Sequence, residues 1–148
     1  MADKTVTVRL EQRRDYQVEN HFGGGVAVLL GDEPPPLGQG AGPEPVQLLA
    51  AAVGNCLMAS LLFALRKYKQ QPEPLRAEVS AEVGRNPQGR LRVLSLAARL
   101  TLGVPVEALD HMERVLTQFE SFCTVTESVR QGIPVTVEVF DAQGAKLK

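Results

Sequence analysis

Residues 43–69 read PEPVQLLAAAVGNCLMASLLFALRKYK, and the rest of the chain has to be arranged to cover this stretch. Pro45 fits a first helical turn, where its missing N–H removes a donor that has no intrahelical partner. Glu44 beside it suits the positive end of a helix dipole, and Arg66, Lys67 and Lys69 suit the other end. Between Val46 and Leu65 the residues are mostly Leu, Ala and Val, interrupted by Gln47, Gly54, Asn55 and Ser60, and the abundance of Ala and Leu predicts a helix. A helix apolar nearly all round is either a core element or a membrane span. About 20 predominantly apolar residues are needed to span a bilayer. Gly54 and Asn55 interrupt the run at its middle and no second span supports it, so a core helix with no membrane partner is expected. A short chain offers little material to cover such a helix on every side, which on packing grounds points to an intertwined homodimer.

The 148 residues fit one domain, 1–148. With 16 Lys and Arg against 17 Asp and Glu the net charge is −1, so no basic field points to nucleic acid or an anionic membrane. The opening MADKTVTVRL is charged and then alternating, without the apolar core of a secretory signal, and a cytoplasmic protein is expected.

Along the chain, Thr5–Glu11 alternates with Val6, Val8 and Leu10 on one face, as a half-buried strand does. Arg13, Arg14 and Asp15 read as a polar turn, and Tyr16–Asn20 and Val26–Leu30 as two further strands around Gly23, Gly24 and Gly25. The segment 31–42, GDEPPPLGQGAG, is a loop, because prolines delete donors and glycines cost backbone entropy. Gly38, Gly40 and Gly42 do not follow a strand and precede no Lys-Ser or Lys-Thr, so they make no phosphate cradle.

After the long helix, Arg76–Val83 puts Ala77, Val79, Ala81 and Val83 inward; a turn at Asn86–Gly89 then predicts a hairpin with Leu91–Leu102. That second strand changes phase near Leu94, as a bulge or two-sided burial would require. Val106–Phe122 carries Leu109, Met112, Leu116 and Phe119 on one stripe, a core-facing helix. Thr124–Glu127 fits a capping box opening a short helix that Gly132 and Pro134 stop. Val135–Phe140 alternates as a last strand, ahead of a polar tail. The fold class is α+β, antiparallel sheets packed around a long central helix.

Cys56 and Cys123 lie 67 positions apart, outside any CxxC or zinc-knuckle spacing. In a reducing cytosol they are two inert thiols or a pair that cycles, and spacing alone favours the first. Cys123, beside a helix start, has one feature that favours a thiolate; Cys56, mid-helix, needs a cation brought to it, and Arg13 and Arg14 are the upstream candidates. A thiolate and a cation in an apolar pocket would trap a hydroperoxide, and the resulting sulfenic acid can condense with a second thiol. His21 and His111 could join the cysteines around a metal, but a scattered pair of each is a weak pattern, and no metal site is expected.

The helix PVQLLAAAVGNCLMASLL and the later run FCTVTESVRQGIPVTVEV together resemble the OsmC/Ohr family of thiol-dependent hydroperoxide reductases. The resemblance covers most of the chain. It implies an interlocked homodimer with combined N-terminal strands and two active sites at the interface. Cys56 would be the peroxidatic cysteine, Cys123 the resolving one and Arg14 the thiolate-stabilising arginine, with Arg13 and Glu44 as supporting candidates. The implied function is reduction of organic hydroperoxides in oxidative stress defence, with an external thiol or dithiol as reductant and no bound cofactor. Two departures stand out. Val46 occupies the position after the helix-opening proline, where the hydroperoxide-reductase branches carry an acid that holds the arginine, and Glu44 lies on the other side of Pro45. The second motif reads Cys-Thr where those branches commonly read Cys-Pro. These departures keep two alternatives in view, a small-molecule binding protein of the same fold and a redox sensor.

Overall fold

A computed structural model describes residues 2–133 and 135–148. Strands β1 (Arg9–Arg14), β2 (Gln17–His21) and β3 (Leu29–Gly31) form an antiparallel sheet in that order. Helix α1 (Pro45–Lys67) follows, then the antiparallel hairpin β4 (Arg76–Arg85) and β5 (Leu91–Thr101), helix α2 (Met112–Gln118) and helix α3 (Thr124–Gln131). Short 3-10 turns at Val106–Ala108 and Phe119–Phe122 flank α2.

Pro45 opens α1 as its composition predicts, and the Glu44 backbone N–H donates to Gln47 Oε1 at 3.0 Å. The helix is long and apolar enough to cross a membrane, with a mean hydropathy of 2.1 over its most apolar window. One stripe is nonetheless packed: Val53, Gly54, Leu57, Ser60, Leu61, Ala64 and Leu65 are buried at the i, i+3, i+4 spacing of a single helix face. The single chain does not cover the helix on every side: Ala51, Ala52, Asn55, Ala59 and Phe63 remain exposed. Gly54, a weak point for helix propensity, has a packing reason. A Cβ there would come within 2.9 Å of Val79 on β4, so the missing side chain lets helix and hairpin approach closely.

Two apolar clusters lie along the buried stripe. Leu61, Ala64, Leu65 and Val115 form one, with Met112 and Phe119 against it; Val53, Leu57 and Cys123 form the other. The stripe of α2 therefore runs through Val115, while Leu116, expected inside, is exposed. The helix is shorter than the 106–122 expected because His111 takes a left-handed conformation, stacked on Tyr68 with ring centroids 4.5 Å apart. The β4–β5 hairpin turns at Asn86–Gly89, where Asn86 Oδ1 accepts from the backbone N–H groups of Gln88 and Arg90. Its register slips where Glu82 pairs with Ser95 and Val83 with Val93, so Leu94 is the bulged residue.

The loop from 31 to 42 is pinned by one side chain. Asp32, buried, accepts backbone N–H bonds from Glu33, Gln39 and Ala41 at 2.8, 3.1 and 3.0 Å. The Ala41 bond, ahead of the opposing effect of burial and with the other two bonds, holds its carboxyl below the ordinary value. Three strand expectations are corrected. The strand expected at Val26–Leu30 forms only at Leu29–Gly31, the part that pairs with Val18–Asn20 of β2. β1 starts at Arg9, because the five-residue β2 pairs only with 9–14, and Leu10 stays 57% exposed with Val6 and Val8 also open. Among the described residues Val135–Phe140 forms no strand: Val135 is 81% exposed, and the tail folds back through the bridge Phe140–Lys146. Gly132 does follow the end of α3, while Pro134, the other half of the expected stop, lies outside the described residues.

Candidate functional site

Cys56 stands on α1 between the buried positions Val53, Leu57 and Ser60, and is half-buried. Cys123 is fully buried and caps the start of α3, with the Glu127 N–H closing the first turn on its carbonyl at 3.0 Å. The capping-box reading expected Thr124 in that place. The start is one residue earlier because Cys123 is extended and its sulfur is drawn into the apolar cluster of Val53 and Leu57.

The fold thus brings the two cysteines together. Cys56 packs against the cluster that contains Cys123, and both thiols are free. Cys123 Sγ lies 2.9 Å from Thr126 Oγ1. Burial pushes the Cys123 thiol up, but hydrogen bonds from Cys56, from the hydroxyl and backbone of Thr126 and from Ser60 together outweigh it and leave the thiol below its ordinary value. Ser60 and Thr126 are site residues that the sequence reading passed over. Part of the signal was present in spacing: Thr126 is the third residue of the helix that Cys123 caps, where a capping side chain can reach it, and Ser60 follows Cys56 by four residues on α1.

The charged candidates lie elsewhere. Arg13 and Arg14 are exposed at the end of β1, beside the turn at Asp15 and Tyr16, and neither is among the groups that perturb the Cys123 thiol. Glu44 precedes Cys56 by twelve residues, about 18 Å along a helix rising about 1.5 Å per residue, so it cannot touch the sulfur directly. Val46 is half-buried near the same end of α1. His111 is stacked on Tyr68 and His21 sits on β2, so neither histidine joins the cysteines. Beside the thiols a cavity of about 650 Å³ is lined by Val53, Leu57, Leu96 and Phe119, with Thr126 and Arg130 also at its wall. Arg130 is engaged by Glu120 at 3.1 Å and by Glu127.

The OsmC-like protein family profile matches residues 38–138, which takes in both cysteines and most of the chain. The chain belongs to the OsmC-like family. No match is found among curated protein sequences. Solved structures show the same fold at low identity. An OsmC-like protein from Mycoplasma pneumoniae is 13% identical with a TM-score of 0.71, over 89% of this chain and 91% of that one. The organic hydroperoxide resistance protein OsmC from Legionella pneumophila is 19% identical at a TM-score of 0.64, covering 88% and 92%. An organic hydroperoxide resistance protein from Elizabethkingia anophelis is 16% identical at 0.62, covering 87% and 91%. This OsmC-like chain shares with them an α+β architecture of antiparallel sheets and helices.

Proposed function

We propose that this OsmC-like protein reduces organic hydroperoxides by a two-cysteine cycle, as a homodimer in a reducing cytoplasm. The observation that carries the reading is the meeting of Cys56 and Cys123 in one apolar cluster, with the half-buried sulfur on the outside and the fully buried one behind it. Cys56, the more accessible, is the peroxidatic residue. Its thiolate attacks the outer oxygen of the O–O bond; an S–O bond forms, the alkoxide leaves and takes a proton to become the alcohol, and Cys56 is oxidised to a sulfenic acid. Cys123, whose thiol is held below its ordinary value, then attacks that sulfur as thiolate, forms the disulfide and releases water once the departing hydroxide is protonated. An external thiol or dithiol, such as a lipoyl group, returns the disulfide to two thiols by exchange and is itself oxidised.

The wall of Val53, Leu57, Leu96 and Phe119 in the cavity beside the cluster favours an alkyl hydroperoxide over hydrogen peroxide, since an alkyl part packed there gains by leaving water. A second copy, packed on the open face of α1 and the exposed N-terminal strand, would supply the cation that the thiol cluster lacks, Arg14 first and Arg13 next, with Glu44 as a supporting carboxylate. Val46 at the acid's position favours a second reading, in which the same pocket binds a small molecule, or the cysteine pair acts as a sensor, without efficient turnover. Stopped-flow mixing of the reduced protein with cumene hydroperoxide separates these. The peroxidase consumes two thiols per peroxide and C56S consumes none; wild-type protein that loses no thiol refutes the cycle.

A further inference from the structure

The β1–β2 hairpin carries a set of side chains that the thiol chemistry does not use. Glu11 and Glu19 are direct cross-strand partners and His21 lies two residues beyond Glu19, so all three stand on one face of the sheet. One donor atom from each lies within 4.8 Å of the other two. His21 Nε2 is 3.4 Å from Glu19 Oε1 and 3.9 Å from Glu11 Oε2. That nitrogen is closed off from solvent and has no hydrogen-bond partner, although the rest of the His21 side chain keeps 23% exposure.

A buried ring nitrogen left unpaired beside two carboxylates is costly unless something occupies the space between them. The spacing suits a cation. Donors about 2.0–2.2 Å from a tetrahedral zinc lie about 3.3–3.6 Å from each other, close to the separations around Nε2. Arg9, directly opposite His21, pairs with Oε1 of Glu11, which leaves Oε2 turned towards the imidazole. It therefore acts as an outer partner that orients a ligand.

We propose that Glu11, Glu19 and His21 form a zinc site, with one imidazole nitrogen and two carboxylate oxygens as protein ligands and a fourth position for water. Neutral imidazole with hard carboxylates suits Zn²⁺ better than the all-oxygen sets that calcium and magnesium take. Two carboxylates balance the charge of the ion. The ion clips β1 to β2 at the open end of the hairpin and fixes the register of the strand whose far end carries Arg13 and Arg14.

The test uses the full chain, reduced and stripped of metal with a chelator, titrated with Zn²⁺ in a calorimeter and assayed for bound metal after gel filtration. One equivalent per chain is expected, retained in the C56S/C123S protein, weakened at least tenfold in E19Q and lost in H21A, with zinc raising the melting temperature of the wild type but not of H21A. Should H21A fail to fold, the His21 ring nitrogen resonances of the wild type decide, because zinc on Nε2 must shift them. A wild-type chain that binds no zinc, zinc that disappears with the two thiols, or unmoved His21 resonances would overturn the site.

Discussion

Cys123 is held by its neighbours in a way that its place in the sequence only half reveals. The start of a helix is an electropositive position, and that much could be read from the pattern after residue 123. Thr126 was within reach of that pattern, three residues on, whereas Ser60 could not be assigned to this sulfur, because which α1 hydroxyl reaches it depends on how α1 and α3 pack. Thr126 offers the direct test. In a C56S background only the Cys123 thiol remains, and adding T126V should move the rise of its thiolate absorbance to higher pH, because a hydrogen bond that favours the thiolate is removed. Because the folded value is depressed in the wild type, the linked stability is present above the ordinary thiol pKa and lost as pH falls through the lowered one, so the reduced wild-type protein should gain resistance to urea as pH rises across that window. Coincident titrations with and without Thr126 would show that the hydroxyl does not govern the thiol.

At the scale of elements, α1, the β4–β5 hairpin with its bulge at Leu94 and the short helix after Cys123 were legible, because apolar period, turn residues and phase change are local signals. The breaks were less so. His111 ends a helical stripe through a left-handed backbone and a stack on Tyr68, and nothing in the local period marks it. Val135–Phe140 alternates like a strand but has no strand beside it among the described residues, since pairing is a property of neighbours and not of the segment. Within the core, Leu65 is fully buried against Val115 and the α2 stripe. Leu65→Ala should cost about 2–5 kcal/mol, read as a lower urea midpoint at unchanged slope. A loss under about 1 kcal/mol would mean that the α1–α2 contact relaxes around the cavity.

Across the whole molecule, the surfaces left open belong together in one respect: they are the apolar segments that a strand or helix partner would cover. Leu10, Phe63 and Val135 all face outward, at 57, 58 and 81% exposure. The family likeness in the sequence implied a shared dimer interface, and the single chain leaves these apolar side chains open. If a second copy supplies Arg14 to the thiol cluster, R14A and C56S proteins, each inactive, should regain part of the hydroperoxide reductase activity when unfolded together and refolded as a mixture. Each mixed dimer would contain one site with both groups. No recovery from a mixture shown to contain mixed dimers would place the arginine and thiol of each site on the same chain, or remove the arginine from the chemistry.

The central claim is that Cys56 and Cys123 are partners in one redox step. Peptide mapping by mass spectrometry after one equivalent of cumene hydroperoxide is added to the reduced protein tests it most directly. A Cys56–Cys123 disulfide is expected in wild type and a sulfenic acid at Cys56 in C123S. Two cysteines that remain reduced, or a Cys56 oxidised in wild type without ever joining Cys123, would contradict it.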